Sequence, residues 1–396
     1  MATAVVDIDF EQIPEQLSGL HKYTKALVLV RLRGRPIGQA TFTVTNGRIS
    51  GTQLRDGLLN IGARPYWEQY LHDYLAWDPQ RVSGFVPPTA TVAVTTRDRP
   101  EDLTRCLQAI RRLPDDGQEL LVIDNCPSND AAKRIVESFP GIRYVREDRP
   151  GASAARNRAL REAKREVVAF SDDDAAPDQG WLRALVRNFS DPLVLCVTGL
   201  TMPLELETEA QEWFERHCPF GRGFKRFVLE AHGRNPLHVA PAGTSANMAL
   251  RRCLLDTVGL FDEALGPGTP SKTGEDFDMF SRILTSGHRI VYDPEALSWH
   301  RHRRTWKELQ QVIHGYGTGV YAYLARSMFI ERELSAPSIA WNWLRYNQVP
   351  QLIKAVLRRS DGKPTDLLIA ELRGCLLGPW AYLSSRRKLM KRNRVL

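Results

Sequence analysis

Val167-Val168-Ala169-Phe170-Ser171-Asp172-Asp173-Asp174-Ala175 joins an apolar run to three consecutive carboxylates. The run reads as a buried strand and the carboxylates as the turn at its end. Hard oxygen ligands in such a turn suit Mg²⁺ or Mn²⁺, and a cation held there can bind the phosphates of a nucleotide. Like charges this close repel one another, so a metal or other positive groups must compensate them. Read alone, the stretch is equally a solvated Asp-rich turn or a helix cap.

Outward from this run, strands alternate with helices. Thr91-Val92-Ala93-Val94-Thr95 is a short β-branched run. Arg99-Pro100-Glu101-Asp102 opens a helix, because proline and acids suit a first turn, and Leu103, Leu107, Ile110 and Leu113 form its apolar face. Strands are predicted over 119–124, 142–145 and 166–170, and helices over 131–139 and 152–163. This order implies right-handed crossovers and a mostly parallel sheet flanked by helices, an α/β class. Ligands of such sheets bind beyond the carboxyl ends of the strands. Thr95-Thr96-Arg97-Asp98, Asp124-Asn125 and Asp172 to Asp174 all fall there.

The flanks differ. Residues 21–62 read as a small β-rich unit, with strands over 26–32 and 40–45 and a turn at Asn46-Gly47. A helix is predicted over 65–75, and 79–88, with Gly84 and Pro87-Pro88, reads as a linker. Beyond Arg301 the periodicity is helical, over 306–332, 339–357 and 366–389. Gly315, Gly317 and Gly319 interrupt the first of these without a preceding strand, which favours close helix packing over a phosphate loop. The expected units are therefore 1–88, an accessory β-rich unit with its linker; 89–302, the α/β core; and 303–396, a helical region with a basic tail.

Composition fits a soluble globular chain of 396 residues, 43% hydrophobic and 25% charged. Six cysteines form no C-x-x-C pair and read as reduced thiols of a cytoplasmic protein. The start has no secretory pattern, and 367–383, the most apolar stretch, is interrupted by Glu371, Arg373 and Pro379. Net charge is +8, and Arg386, Arg387, Lys388, Lys391, Arg392 and Arg394 lie in the last thirteen positions, 384–396, without an acid. Such a tail can meet anionic lipid at the inner face of a membrane, or stand as a solvated terminus. Without interleaved aromatic residues it gives no reason to expect nucleic acid as a partner.

Five motifs occur in order: Thr95-Thr96-Arg97-Asp98-Arg99-Pro100, Val122-Ile123-Asp124-Asn125, Arg149-Pro150-Gly151-Ala152-Ser153-Ala154-Ala155-Arg156-Asn157, Ser171 to Asp174, and Gly274-Glu275-Asp276-Phe277-Asp278. In register they resemble the family-2 inverting glycosyltransferases with the GT-A fold, over roughly 89–302. The resemblance implies a nucleotide-diphosphate sugar donor and a glycan, lipid-linked or small-molecule acceptor. Thr96 and Arg97 would lie near the nucleotide, and Asp124 would accept a hydrogen bond from its base. Gly151, Arg156 and Asn157 would shape the nucleotide pocket; Arg156 is otherwise a helix-surface ion pair. Asp172-x-Asp174 matches the family's D-x-D motif, with Asp172 near ribose and metal, Asp174 on the Mn²⁺ or Mg²⁺, and Asp173 ambiguous between them.

The same resemblance makes Asp276 the general base, which removes a proton from the acceptor hydroxyl during a single inverting displacement. Glu275 would orient the acceptor, and Asp278 would be structural; otherwise these acids are a plain helix cap. Gly243, Ser245 and Asn247, within Pro241 to Leu250, would border the acceptor, or else form a turn leading into a helix over 251–258. In Trp299-His300-Arg301-His302, His300 is the expected metal ligand and His302 the alternative, and Arg301, Arg303 and Arg304 are candidate phosphate forks. Two rivals remain at this level. One is a nucleotidyltransferase that makes a sugar nucleotide, although 96–100 lack its Gly-rich basic loop. The other is a non-catalytic protein that binds membrane or nucleic acid through the tail.

Overall fold

Apolar, β-branched runs such as Thr91-Val92-Ala93-Val94 are continuous rather than alternating, so their strands must be covered on both faces. The computed structural model, which describes residues 2–75, 85–357 and 363–392, shows this. Ile142–Glu147, Glu119–Asn125, Ala90–Thr96 and Val167–Asp172 lie side by side, all parallel. Asn247–Arg251 adds antiparallel to Val167–Asp172, then Val194–Pro203 and Arg289–His300 complete a nine-stranded mixed sheet with the short strands Ala175–Pro177 and Phe227–Leu229. Helices Pro100–Ile110, Ala131–Glu137 and Trp181–Val186 cover one face. Ala152–Glu162 and Glu275–Thr285 cover the other. The α/β expectation therefore holds, element by element, through the core.

Register aligns the polar strand ends. Thr96 pairs with Asp124 and Thr95 with Asp172, so the three motifs meet at one edge. Ala175–Pro177 folds back antiparallel onto the last strand and pairs Ala175 with His300. The chain separation of the acidic turn and His300 is closed by that pairing.

Before the core, Lys25–Leu32 is flanked by Thr3–Asp9, parallel, and Arg35–Thr43, antiparallel. The helix predicted over 65–75 in fact runs over Gly51–Tyr74, with Pro65 inside it. Ser50 and Gln53 form a reciprocal capping box at its start. The linker predicted over 79–88 lies largely outside the described residues. After the core, Trp306–Phe329 and Thr365–Arg392 pack along their lengths, with Ala336–Trp343, Leu344–Gln348 and Val349–Val356 laid beside them. The basic tail is helical as far as Arg392, beyond the predicted end at 389; 393–396 lie outside the described residues. The helix predicted over 251–258 shrinks to Leu254–Thr257, because Asn247–Arg251 is a strand. Among the described residues, no helix is long and apolar enough to cross a membrane.

Candidate functional site

A cleft of about 1840 Å³ opens at the carboxyl edge of the sheet and continues under the C-terminal helices. Its floor is the acidic turn. Asp172, Asp174 and His300 each offer a ligand atom, all within 4.8 Å of one another. The His300 Nε2 atom lies 3.1 Å from Asp174 Oδ1, and the Arg301 backbone N–H donates to the Asp174 carbonyl at 2.9 Å. Two carboxylates and an imidazole are a suitable donor set for Mn²⁺ or Mg²⁺, so the residues present fit the expected ion.

Positive groups surround this turn. Arg99 Nη1 bridges Asp173 at 3.1 Å and Asp174 at 3.0 Å, and Arg303 reaches Asp174 at 3.3 Å. Burial opposes ionisation of Asp174, but His300, Arg303 and Arg99 outweigh it and hold the carboxyl well below its usual range. Asp173 goes the other way. Burial and the Asp174 charge push it up to about 6, while the Thr96 hydroxyl donates to it at 2.8 Å. Asp173 is thus engaged with Thr96 and Arg99 rather than grouped with the candidate metal ligands. His302 turns away from the acidic turn, with Nε2 3.0 Å from Glu215. Burial lowers His302 to about 3 and raises Glu215 to about 8, which makes this a neutral contact.

The second carboxylate centre is the start of helix Glu275–Thr285. Gly274 caps it at φ 99°, a left-handed conformation that favours glycine. A Cβ on Gly274 would also lie 2.6 Å from the Gly319 carbonyl. Asp276 accepts from its neighbour's N–H, Phe277, at 2.9 Å and from the Ser245 N–H at 3.4 Å. Burial raises its pKa. Burial and the Asp276 charge push Glu275 up to about 7, against the pull of Arg156. Arg156 is buried and ties the two centres together, 2.9 Å from Glu275 and 3.5 Å from Asp172. Asp278 faces the other way, toward Arg282 and Arg326.

The remaining expected residues divide into lining and framework. Thr96, Arg97, Gly243 and Ser245 line the cleft. Asp124 is fully buried, with Oδ2 accepting from Tyr144 at 2.8 Å and Oδ1 without a partner among the described residues. The Gly151 N–H donates to Asn125 Oδ1, in a backbone at φ 124°. Asn157 gives its amide to Phe261 and Glu263 and accepts from the Phe261 N–H. Asn247 accepts from Trp181 Nε1 and donates to the Leu200 and Ala296 carbonyls. Both side chains are hydrogen-bonded inside the fold, and neither is among the described residues that line the cleft. Of the three candidate phosphate forks, Arg301 pairs with Asp102 and Arg304 with Glu205 and Glu207, leaving Arg303 at the site. Arg99, which precedes the first core helix, reaches the acidic turn, and its place in the motif Thr95 to Pro100 is the sequence signal for it.

Residues 91–259 match the family described as glycosyl transferase family 2. A pre-mycofactocin glycosyltransferase of Mycobacterium tuberculosis is 29% identical over 238 residues, 58% of this chain and 46% of that protein. The glycosyltransferase AglE of Haloferax volcanii is 29% identical over 119 residues, 28% of this chain and 39% of its own length. This chain spans about half the length, or less, of these relatives. A solved mannosyltransferase of Pyrobaculum calidifontis, in complex with GDP-Man and Mn²⁺, overlays with a TM-score of 0.45 at 20% identity, covering 85% of this chain and 84% of that one.

Proposed function

We propose, from the match of residues 91–259 to glycosyl transferase family 2, that the chain is a metal-dependent inverting glycosyltransferase. It moves a sugar from a nucleotide-diphosphate donor to an acceptor hydroxyl. The observation that carries this reading is the pair of carboxylate centres facing one cleft, joined through Arg156.

The donor half is the sheet edge. Asp124 Oδ1, buried and without a partner among the described residues, would be an acceptor for an N–H of the nucleotide base. Thr96 and Arg97 border the nucleotide, and Arg99 and Arg303 bring positive charge to where the diphosphate would sit. Asp172, Asp174 and His300 would hold Mn²⁺ or Mg²⁺, which neutralises the departing diphosphate. The acceptor half is the wall formed by Gly243, Ser245 and Asp276. Asp276 takes the hydroxyl proton as the acceptor oxygen bonds to the anomeric carbon. The bond from that carbon to the diphosphate oxygen breaks in the same step, its electron pair leaves with the nucleotide, and configuration inverts. The Phe277 and Ser245 N–H groups hold Asp276, and the charge of Arg156, which pairs with Glu275, favours its ionised form.

The test is thermal stabilisation by a panel of nucleotide sugars in Mn²⁺, Mg²⁺ or EDTA. One nucleotide class should raise the melting temperature only with metal, and Asp174→Ala should abolish that rise. Equal stabilisation with EDTA, or none with any donor, overturns the reading.

A further inference from the structure

Helix Thr365–Arg392 carries apolar residues on both its buried and its exposed faces. Its inward face carries small residues: Gly374, Cys375 and Gly378 press against Trp306–Phe329, where a Cβ on Gly374 would come within 2.2 Å of the His314 carbonyl. Leu367, Leu368 and Tyr382 are buried as well, but other large apolar residues point outward. Ile369, Leu376, Trp380 and Leu383 recur at helical spacing along one exposed stripe, Leu376 being 83% and Trp380 66% exposed. The Tyr321 ring side bridges to the next element: its Cβ is the contact that crowds Gly378, and its hydroxyl donates to the Ala340 carbonyl at 3.0 Å. There Trp341, Tyr346, Leu352 and Ile353 are exposed as well.

From these observations we infer that the outward faces of 336–357 and 363–392 form a docking surface for an anionic lipid bilayer. Charge selects this occupant. Arg373 and Arg387 fall on the same helical stripe as the apolar residues, and Arg345 lies beside Tyr346. The acids of helix Thr365–Arg392 are engaged within the fold: Asp366 accepts from Trp306 and Gln310, and Glu371 from Lys363. Exposed tryptophan and tyrosine beside arginine match the interface between acyl chains and headgroups. Basic residues add attraction to anionic lipid. The same helices line the cleft through Trp343, Asn347 and Gln351. Docking therefore sets the cleft mouth at the lipid surface, and, resting on the proposed transfer reaction, this assigns a lipid-anchored acceptor.

The experiment is co-sedimentation of the full chain with vesicles of phosphatidylcholine alone and of phosphatidylcholine mixed with phosphatidylglycerol. Binding should favour the anionic vesicles and shift tryptophan emission to the blue. Leu376→Ser with Trp380→Ser should cut partitioning at least about tenfold. Arg373→Glu with Arg387→Glu should remove the preference for anionic lipid. Melting temperature and metal-dependent donor stabilisation report folding and the transfer site separately, so failure here does not mimic failure there. A chain that stays in solution with both vesicles, or variants that bind as the parent does, overturns the inference. So does an apolar variant that merely converts a dimer to a monomer by light scattering, which would make the face a contact with a second copy.

Discussion

At the scale of single residues, the proposed base Asp276 stands under opposing influences. Burial raises its pKa, while the Phe277 and Ser245 N–H groups and the Arg156 charge keep the carboxylate accessible. Asp276→Asn keeps the shape and removes the proton acceptor. Turnover should fall by roughly 10²–10⁴-fold with donor affinity unchanged, measured by steady-state kinetics beside donor titration. Equal loss of both would make Asp276 a structural cap. The pH dependence follows in sign. A base works deprotonated, so a raised pKa moves the acid limb of kcat/KM above the ordinary aspartate range. Arg156→Gln removes a charge that lowers that pKa, and should move the limb to still higher pH. A limb that stays fixed in the variant would detach Arg156 from the base. Motif reading marked the acids because a strand end and a helix start are local patterns. It could not separate Asn157 and Asn247, which hold the frame, from residues that face the cleft, because a short pattern contains both. Nor could it place Arg99 and Arg303 on Asp174, since these contacts depend on long-range pairings, of Thr95 with Asp172 for Arg99 and of Ala175 with His300 for Arg303.

At the scale of elements, the helix pair Trp306–Phe329 and Thr365–Arg392 shows what small residues do. Gly315 and Gly317 lie two positions apart in one helix yet face different surroundings. A Cβ on Gly315 would meet the Lys272 Cβ at 3.5 Å, an ordinary contact, whereas on Gly317 it would meet the Glu371 carbonyl at 2.3 Å. Gly315→Ala should therefore be neutral or stabilising by up to about 1 kcal/mol, through helix propensity. Gly317→Ala should cost about 1–3 kcal/mol, because backbone must move. Denaturant midpoints of the two variants, read against the parent, decide it; equal effects would remove the close packing as the reason for the glycines. The spacing of these glycines was legible, but not the partner helix, which lies beyond an intervening helical segment. The reverse happened at Gly51–Tyr74. Ser50-x-x-Gln53 is a capping-box pattern in plain sequence, and Pro65 drew attention to the wrong start because proline also fits a first turn.

At the scale of the whole molecule, the N-terminal unit is bound into the core. Ala26, Val28 and Val30 of strand Lys25–Leu32 face Leu54 and Leu58 of their own unit. Leu27 and Leu29 face the other way, into Leu200, Met202, Leu206 and Leu297. The Thr3 N–H donates to the Leu206 carbonyl at 2.8 Å, and Arg31 spans Asp7 and Asp178 at 2.8 and 2.7 Å. The continuous run from Ala26 to Val30 already required cover on both faces, since a sheet with one wet face alternates. What the sequence could not name was the second cover, which comes from the distant strands Val194–Pro203 and Arg289–His300. Those strands also deliver the site: Met202 pairs with Trp299 and Pro203 with His300. Leu29→Ala empties a fully buried position between the two units and should cost about 2–5 kcal/mol. If they unfold as one body, the variant shifts a single transition, and fluorescence and far-ultraviolet dichroism move together. A separate early transition, with the core midpoint unchanged, would make 1–75 an independent module. Since the strand that carries His300 is braced from this side, the single-transition outcome also makes the N-terminal sheet part of what holds the candidate metal ligands in register.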